Sequence, residues 1–128
     1  IFKRERYDIE FSYLESISTK IIAGSDNKHS KKVAYIHCDF GTHWYSRKSY
    51  LNYFEEYKCY KKFDNILAVS SEQVQPFINR FPGMEVSVIP NIINEDEILL
   101  KAEEPLEVYN TPYFCAVGRL EEEKIISY

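Results

Sequence analysis

The strongest constraint on the fold is a repeated switch between two hydrophobic periods. Val33-Ala34-Tyr35-Ile36-His37-Cys38 is apolar with almost no interruption, as expected of a strand buried on both faces of a parallel sheet. Ile66-Leu67-Ala68-Val69 repeats the pattern. Glu85-Val86-Ser87-Val88-Ile89 alternates and is closed by Pro90, which has no amide to give a ladder. Near the start, Ile9, Phe11 and Tyr13 alternate with Asp8, Glu10 and Ser12, again a strand pattern. Helical patterns separate these runs. Residues 15–23 stop at Gly24. Residues 45–63 read as one long helix with Tyr50, Phe54, Tyr57 and Lys61 on one face. Ser70 and Gln73 form a capping-box pattern ahead of an apolar stripe of Val74, Phe77, Ile78 and Phe81, ended by Pro82-Gly83. Asn94 with Glu97 caps a further helix to about residue 104. A turn-rich linker over 105–112 then leads to a last strand at 113–117. Strands alternating with helices at this pace predict an α/β fold with a parallel sheet.

Bulk properties narrow the function classes. A chain of 128 residues, 45% hydrophobic and 28% charged, has the composition of a soluble globular domain. Its net charge of -4 argues against nucleic acid as a partner, because such binders need a basic surface. No run of 18 apolar residues is present, so no segment reads as a membrane span. Cys38, Cys59 and Cys115 are odd in number and lie in apolar segments, which predicts buried thiols in a reducing cytosol. The first residue is Ile1 in a charged stretch, which gives the expectation of a fragment.

Several constellations carry chemistry. His37 closes its strand, and ligands of open parallel sheets bind beyond the carboxyl ends of the strands. It reads either as a histidine facing a cleft, with Asp39 and the Gly41-Thr42 turn beside it, or as a hydrogen-bonded histidine at the sheet rim. His37, Cys38, Asp39 and His43 lack the paired spacing of a tetrahedral metal site. Ser70 sits at a strand-to-helix handover without the glycines of a nucleophile elbow, so serine hydrolysis is not expected. Along 45–63, Arg47, Lys48, Lys58, Lys61 and Lys62 outnumber Glu55 and Glu56, with tyrosines between them. Such a helix suits peripheral contact with an anionic membrane surface, or a core helix with a solvated charged face.

Near the end, Val117-Gly118-Arg119-Leu120-Glu121-Glu122-Glu123-Lys124 follows a strand-like run. Gly118 lets the backbone approach a ligand, and Arg119 with Lys124 match a doubly charged diphosphate. The bland alternative is ion pairing of these cations with Glu121, Glu122 or Glu123. No Asp-x-Asp pair for a metal-bound nucleotide occurs, so protein cations would neutralise a bound diphosphate.

Taken together, four segments in order resemble the large retaining family of GT-B glycosyltransferases that use nucleotide sugars. They are Tyr7-Asp8-Ile9-Glu10, Val33-Ala34-Tyr35-Ile36-His37, Asn65-Ile66-Leu67-Ala68-Val69-Ser70-Ser71-Glu72-Gln73, and Val86-Ser87-Val88-Ile89-Pro90-Asn91-Ile92-Ile93-Asn94. The last is similar to the interdomain hinge, and residues 117–124 to the opening of the nucleotide-binding domain. Ile125 departs from the glycine usual after the lysine. The resemblance implies a Rossmann-like parallel sheet with flanking helices, part of a two-domain GT-B architecture. Residues 1–93 would be the later part of the acceptor-side domain, 94–112 the hinge helix and linker, and 113–128 the start of the donor-side domain.

By that resemblance His37 is the active-site histidine near the reacting sugar, and Gly118, Arg119 and Lys124 contact the donor diphosphate without a metal or other cofactor. The substrates implied are a nucleotide-sugar donor and a glycan or glycolipid acceptor in polysaccharide biosynthesis. The location implied is cytoplasmic, and the basic 45–63 segment leaves open peripheral contact at the inner membrane face. The chain alone is expected to be inactive and prone to self-association. The competing expectations are a nucleotide-sugar epimerase of the same fold and a non-catalytic α/β module binding an anion.

Overall fold

A computed structural model of the chain describes residues 6–42, 45–105 and 111–115. Among these, four strands form one parallel sheet in the order β1-β2-β3-β4: β1 (Ile9–Ser12), β2 (Lys31–Ile36), β3 (Asn65–Ala68) and β4 (Ser87–Val88). The helices α1 (Ile17–Ala23), α2 (Tyr53–Tyr60) and α3 (Val74–Arg80) lie in the crossovers, and α4 (Glu95–Ala102) follows β4. The α/β alternation read from the sequence is therefore the observed architecture. The register pairs Phe11 with Val33, Val33 with Asn65, and Leu67 with Ser87.

Pleating divides the sheet into two unlike faces. Ala34, Ile36, Ile66 and Ala68 point to one side and pack with Phe40, Tyr60, Phe77, Phe81 and Met84 in a single buried cluster. The rings interlock edge to face: Phe77 meets Phe40 at 5.1 Å and Tyr60 at 5.0 Å between centroids. Such pairs add to simple area burial. α1 covers the same side, because the buried Ser12 on β1 hydrogen-bonds the buried Thr19 on α1 at 3.3 Å. Burial of β2 on both faces was the expectation. The C-terminal half of β2 meets it, with Ala34 and Ile36 buried on one face and Tyr35 on the other, whereas Ile9 and Phe11 of β1 are exposed.

The predicted long helix over 45–63 is a correction. Residues Tyr45–Ser49 form a 3-10 turn, the chain bends, and α2 begins only at Tyr53. Asn52 stops any continuous helix: its extended backbone and side chain cap α2 by accepting from the Glu55 amide at 3.0 Å. The buried stripe is also shifted. Glu56 and Tyr60 are buried with Tyr53 and Tyr57 beside them, whereas Phe54 faces out. A buried glutamate moved the phase: Glu56 accepts from Ser46 and pairs with Arg80 at 3.4 Å.

Smaller differences follow local chemistry. α1 starts two residues later than expected, after Ser16, which holds a left-handed φ of 74°. α3 carries the predicted apolar stripe but is preceded by a 3-10 turn, and Ser70 makes no side-chain cap bond. Gly83, with φ of 80°, makes the turn that ends this element. β4 shortens to two residues ahead of Pro90. Residues 113–115 show no strand pairing. No cysteine is buried, contrary to expectation: Cys38 and Cys59 are half-buried, Cys115 is exposed, and all three are free thiols.

The chain divides into two compact units at Ile92/Ile93. Among the described residues of the second, the regular element is α4, capped by Asn94 accepting from the Glu97 amide at 3.3 Å, as the Asn94-Glu97 pattern predicts. Glu95, Asp96 and Glu97 in its first turn favour the positive end of the helix dipole.

Candidate functional site

The site is built where β1 and β2 part. β1 leaves the sheet after Ser12, so the amides of His37 and Cys38, just past the end of β2, lose ladder partners on that side. The Glu15 carboxylate replaces them. Its Oε1 accepts from the His37 amide at close range and from the Cys38 amide at 2.7 Å. The His37 carbonyl accepts from Gln73 Nε2 at 2.6 Å. Both backbone groups of His37 are thus held by side chains, which fixes the ring against the sheet. The left-handed Ser16 turns the chain immediately after Glu15 and is tied down by the Tyr50 hydroxyl, which donates to its carbonyl at 3.0 Å. Strain of this kind persists only where surrounding contacts hold it.

The His37 ring lies against Tyr35 at 4.5 Å and Tyr13 at 4.9 Å between centroids. Phe11 extends the row, 6.1 Å from each of Tyr13 and Tyr35. Both His37 ring nitrogens are closed off from solvent and have no hydrogen-bond partner among the described residues, and Gln73 Oε1 is in the same condition. Such groups are rare, because burying a polar atom unpaired costs about 1–3 kcal/mol. A neutral imidazole offers one donor and one acceptor.

Beside the aromatic row is a pocket of about 230 Å³ lined by Tyr13, Tyr35, Ile89, Pro90, Asn91 and Ile92. The Tyr35 hydroxyl donates to the Ile89 carbonyl at 2.6 Å and lies 3.2 Å from Asn91 Oδ1. This anchors the segment after β4 against β2. The pocket is below the 300–1,000 Å³ usual for drug-sized ligands, so it suits a small ring. Its walls combine aromatic faces with amide and hydroxyl groups.

Asp39, singled out with His37, makes a local turn: it accepts from the Gly41 amide at 2.7 Å and the Thr42 hydroxyl at 2.9 Å. Gly41 fits closely there: a Cβ would come 3.1 Å from Asp39 Oδ1 and 3.3 Å from the Pro76 ring. Gly118, Arg119 and Lys124 lie outside the described residues, as does His43. Among the described residues no group of three His, Cys, Asp or Glu side chains converges as a metal site.

Sequence reasoning missed Glu15 and Gln73. Glu15 reads from the sequence as a helix residue; its signal is a carboxylate three positions past an edge strand, where adjacent amides lose partners. Gln73 was assigned to a capping box, and its side chain instead reaches the neighbouring strand end.

Comparison of the chain with family models, with curated proteins and with solved structures finds no match.

Proposed function

We propose that the chain is the acceptor-side part of a GT-B glycosyltransferase, which moves a sugar from a nucleotide-sugar donor to a glycan or glycolipid acceptor. The observation that carries this reading is His37: a histidine at the carboxyl end of a parallel strand, its ring nitrogens buried and without a partner among the described residues, beside a small aromatic pocket. Aromatic faces suit the C–H faces of a sugar ring, and the free imidazole nitrogens suit its hydroxyls. The resemblance of residues 86–94 to an interdomain hinge supports the same reading.

In this reading the acceptor hydroxyl oxygen bonds to the donor's anomeric carbon as the bond from that carbon to the diphosphate oxygen breaks. The hydroxyl proton passes to the departing diphosphate. His37 orients the reacting sugar in the oxocarbenium-like transition state, and Arg119 with Lys124 offsets charge on the leaving group. The donor diphosphate is held by the second unit in this scheme, so residues 1–92 contribute the acceptor wall. Titration calorimetry with this chain is expected to show no micromolar donor affinity, and such affinity would contradict that division.

The test of activity is transfer of labelled sugar by the protein that carries this sequence. His37→Ala is expected to lower kcat by roughly a hundredfold or more, the range of a positioned polar group. A rate unchanged by the substitution would sink the assignment.

A further inference from the structure

The corner between the 3-10 turn and α2 presents apolar side chains that the fold has no use for. Leu51 is 90% exposed and Phe54 69% exposed. Single exposed apolar residues need no explanation, but this corner is held rigidly outward. Tyr50 is buried just before Leu51, with Lys20 Nζ 5.5 Å from its ring centroid. The Leu51 amide donates to Glu55 Oε2 at 2.6 Å, and Asn52 caps α2 immediately after it. Phe54 then points away from the buried side of α2, with Lys58 and Lys61 following at one and two turns on the same outward face.

The surrounding charge is one-sided. Lys48 on the 3-10 turn, Lys58 on α2 and Lys61 just after it are all exposed. The two carboxylates of this stretch are answered locally: Glu55 pairs with Lys20 at 2.7 Å, and buried Glu56 pairs with Arg80. The chain's net negative charge hides this asymmetry. Residues 1–92 carry thirteen Lys and Arg against eleven Asp and Glu, and the acidic excess lies after them.

From this we propose that the Leu51–Phe54 corner docks on an anionic lipid bilayer, the two apolar side chains entering the acyl boundary while Lys48, Lys58 and Lys61 meet the headgroups. An apolar tip ringed by cations has the form of an interfacial membrane anchor, and each basic residue near such a surface strengthens binding several-fold. The proposal does not depend on the transferase reading. It replaces the continuous basic helix expected from the sequence with a pinned corner.

The test is co-sedimentation of the full chain with vesicles of mixed phosphatidylglycerol and phosphatidylcholine, against phosphatidylcholine alone. Binding is expected to the mixed vesicles and to weaken with salt, as screening requires. Leu51→Ser with Phe54→Ser is expected to lower the partition coefficient about tenfold or more. Lys48→Glu with Lys58→Glu is expected to do the same, but for the mixed vesicles alone. Circular dichroism should be unchanged in both variants, since all four side chains are exposed. Equal binding to both vesicle types, or binding indifferent to both double substitutions, would overturn the proposal. So would absence of lipid binding together with a dimer in sedimentation velocity that Leu51→Ser/Phe54→Ser abolishes, because the corner would then be a protein interface.

Discussion

Removing the Glu15 carboxylate should loosen the candidate site before it disturbs anything else. In the native chain one carboxylate oxygen receives the amides of His37 and Cys38, the latter at 2.7 Å. Hydrogen bonds to a charged group contribute about 1.5–3 kcal/mol each, and truncating the acceptor leaves both amides without their partner. Glu15 is half-buried, so water partly replaces it and the low end of the range applies. Glu15→Ala is therefore expected to cost about 2–4 kcal/mol, a large share of a typical domain's total stability. Urea unfolding followed by circular dichroism measures this. Glu15→Gln, which keeps an acceptor without the charge, should recover roughly half of the loss. Amide exchange should report the same event locally, with His37 and Cys38 losing protection in Glu15→Ala while core amides of β3 keep theirs. A cost below about 0.5 kcal/mol with unchanged exchange at those two amides would refute the idea that Glu15 terminates β2.

Phe77 is fully buried among Phe40, Tyr60 and Phe81, and Phe77→Ala should cost about 3–5 kcal/mol by denaturant unfolding; Phe77→Leu should cost clearly less. Glu10 supplies a pH dependence. Burial pushes its carboxyl up, but the Ser25 and Ser30 hydroxyls and the Lys32 ammonium outweigh that and hold it below its ordinary value of 4.5. Because the folded value is the lower one, its stabilisation is full at neutral pH and is lost as pH falls below about that value. Ser30→Ala should raise the acid-unfolding midpoint, whereas in Glu10→Gln this contribution to the acid limb should vanish.

Much of the fold was legible because burial patterns over strands β2 and β3 and the stripe of α3 depend on local sequence. Val33 to Ile36 and Ile66 to Ala68 sit where their apolar runs place them, and Phe77 on α3 and Phe81 just after it are fully buried. The α2 region was misread because the rule that charges face solvent fails at Glu56. Its partners, Ser46 and Arg80, come from other elements, and no local pattern announces them. Asn52, which breaks that segment, resembles any other polar helix residue until its cap bond is seen.

The site divides in the same way. His37 was legible as the residue closing an apolar strand. Glu15 and Gln73 were not, because each acts on the backbone of a residue far from it in sequence. The pocket depends on Tyr35 reaching across to Ile89, a contact between β2 and the segment after β4 that spacing alone does not reveal. The diphosphate residues Gly118, Arg119 and Lys124 remain a reading of the sequence, outside the described structure.

The central proposal is that His37 hydrogen-bonds a sugar acceptor. Histidine ring resonances in labelled protein, followed during titration with oligosaccharide acceptors, test it most directly. The account predicts saturable shifts at His37 and at the Tyr13 and Tyr35 rings, with the exposed His29 unmoved, and loss of the response in His37→Gln. Silence at His37 across the acceptor panel, or shifts of equal size at His29, would contradict it.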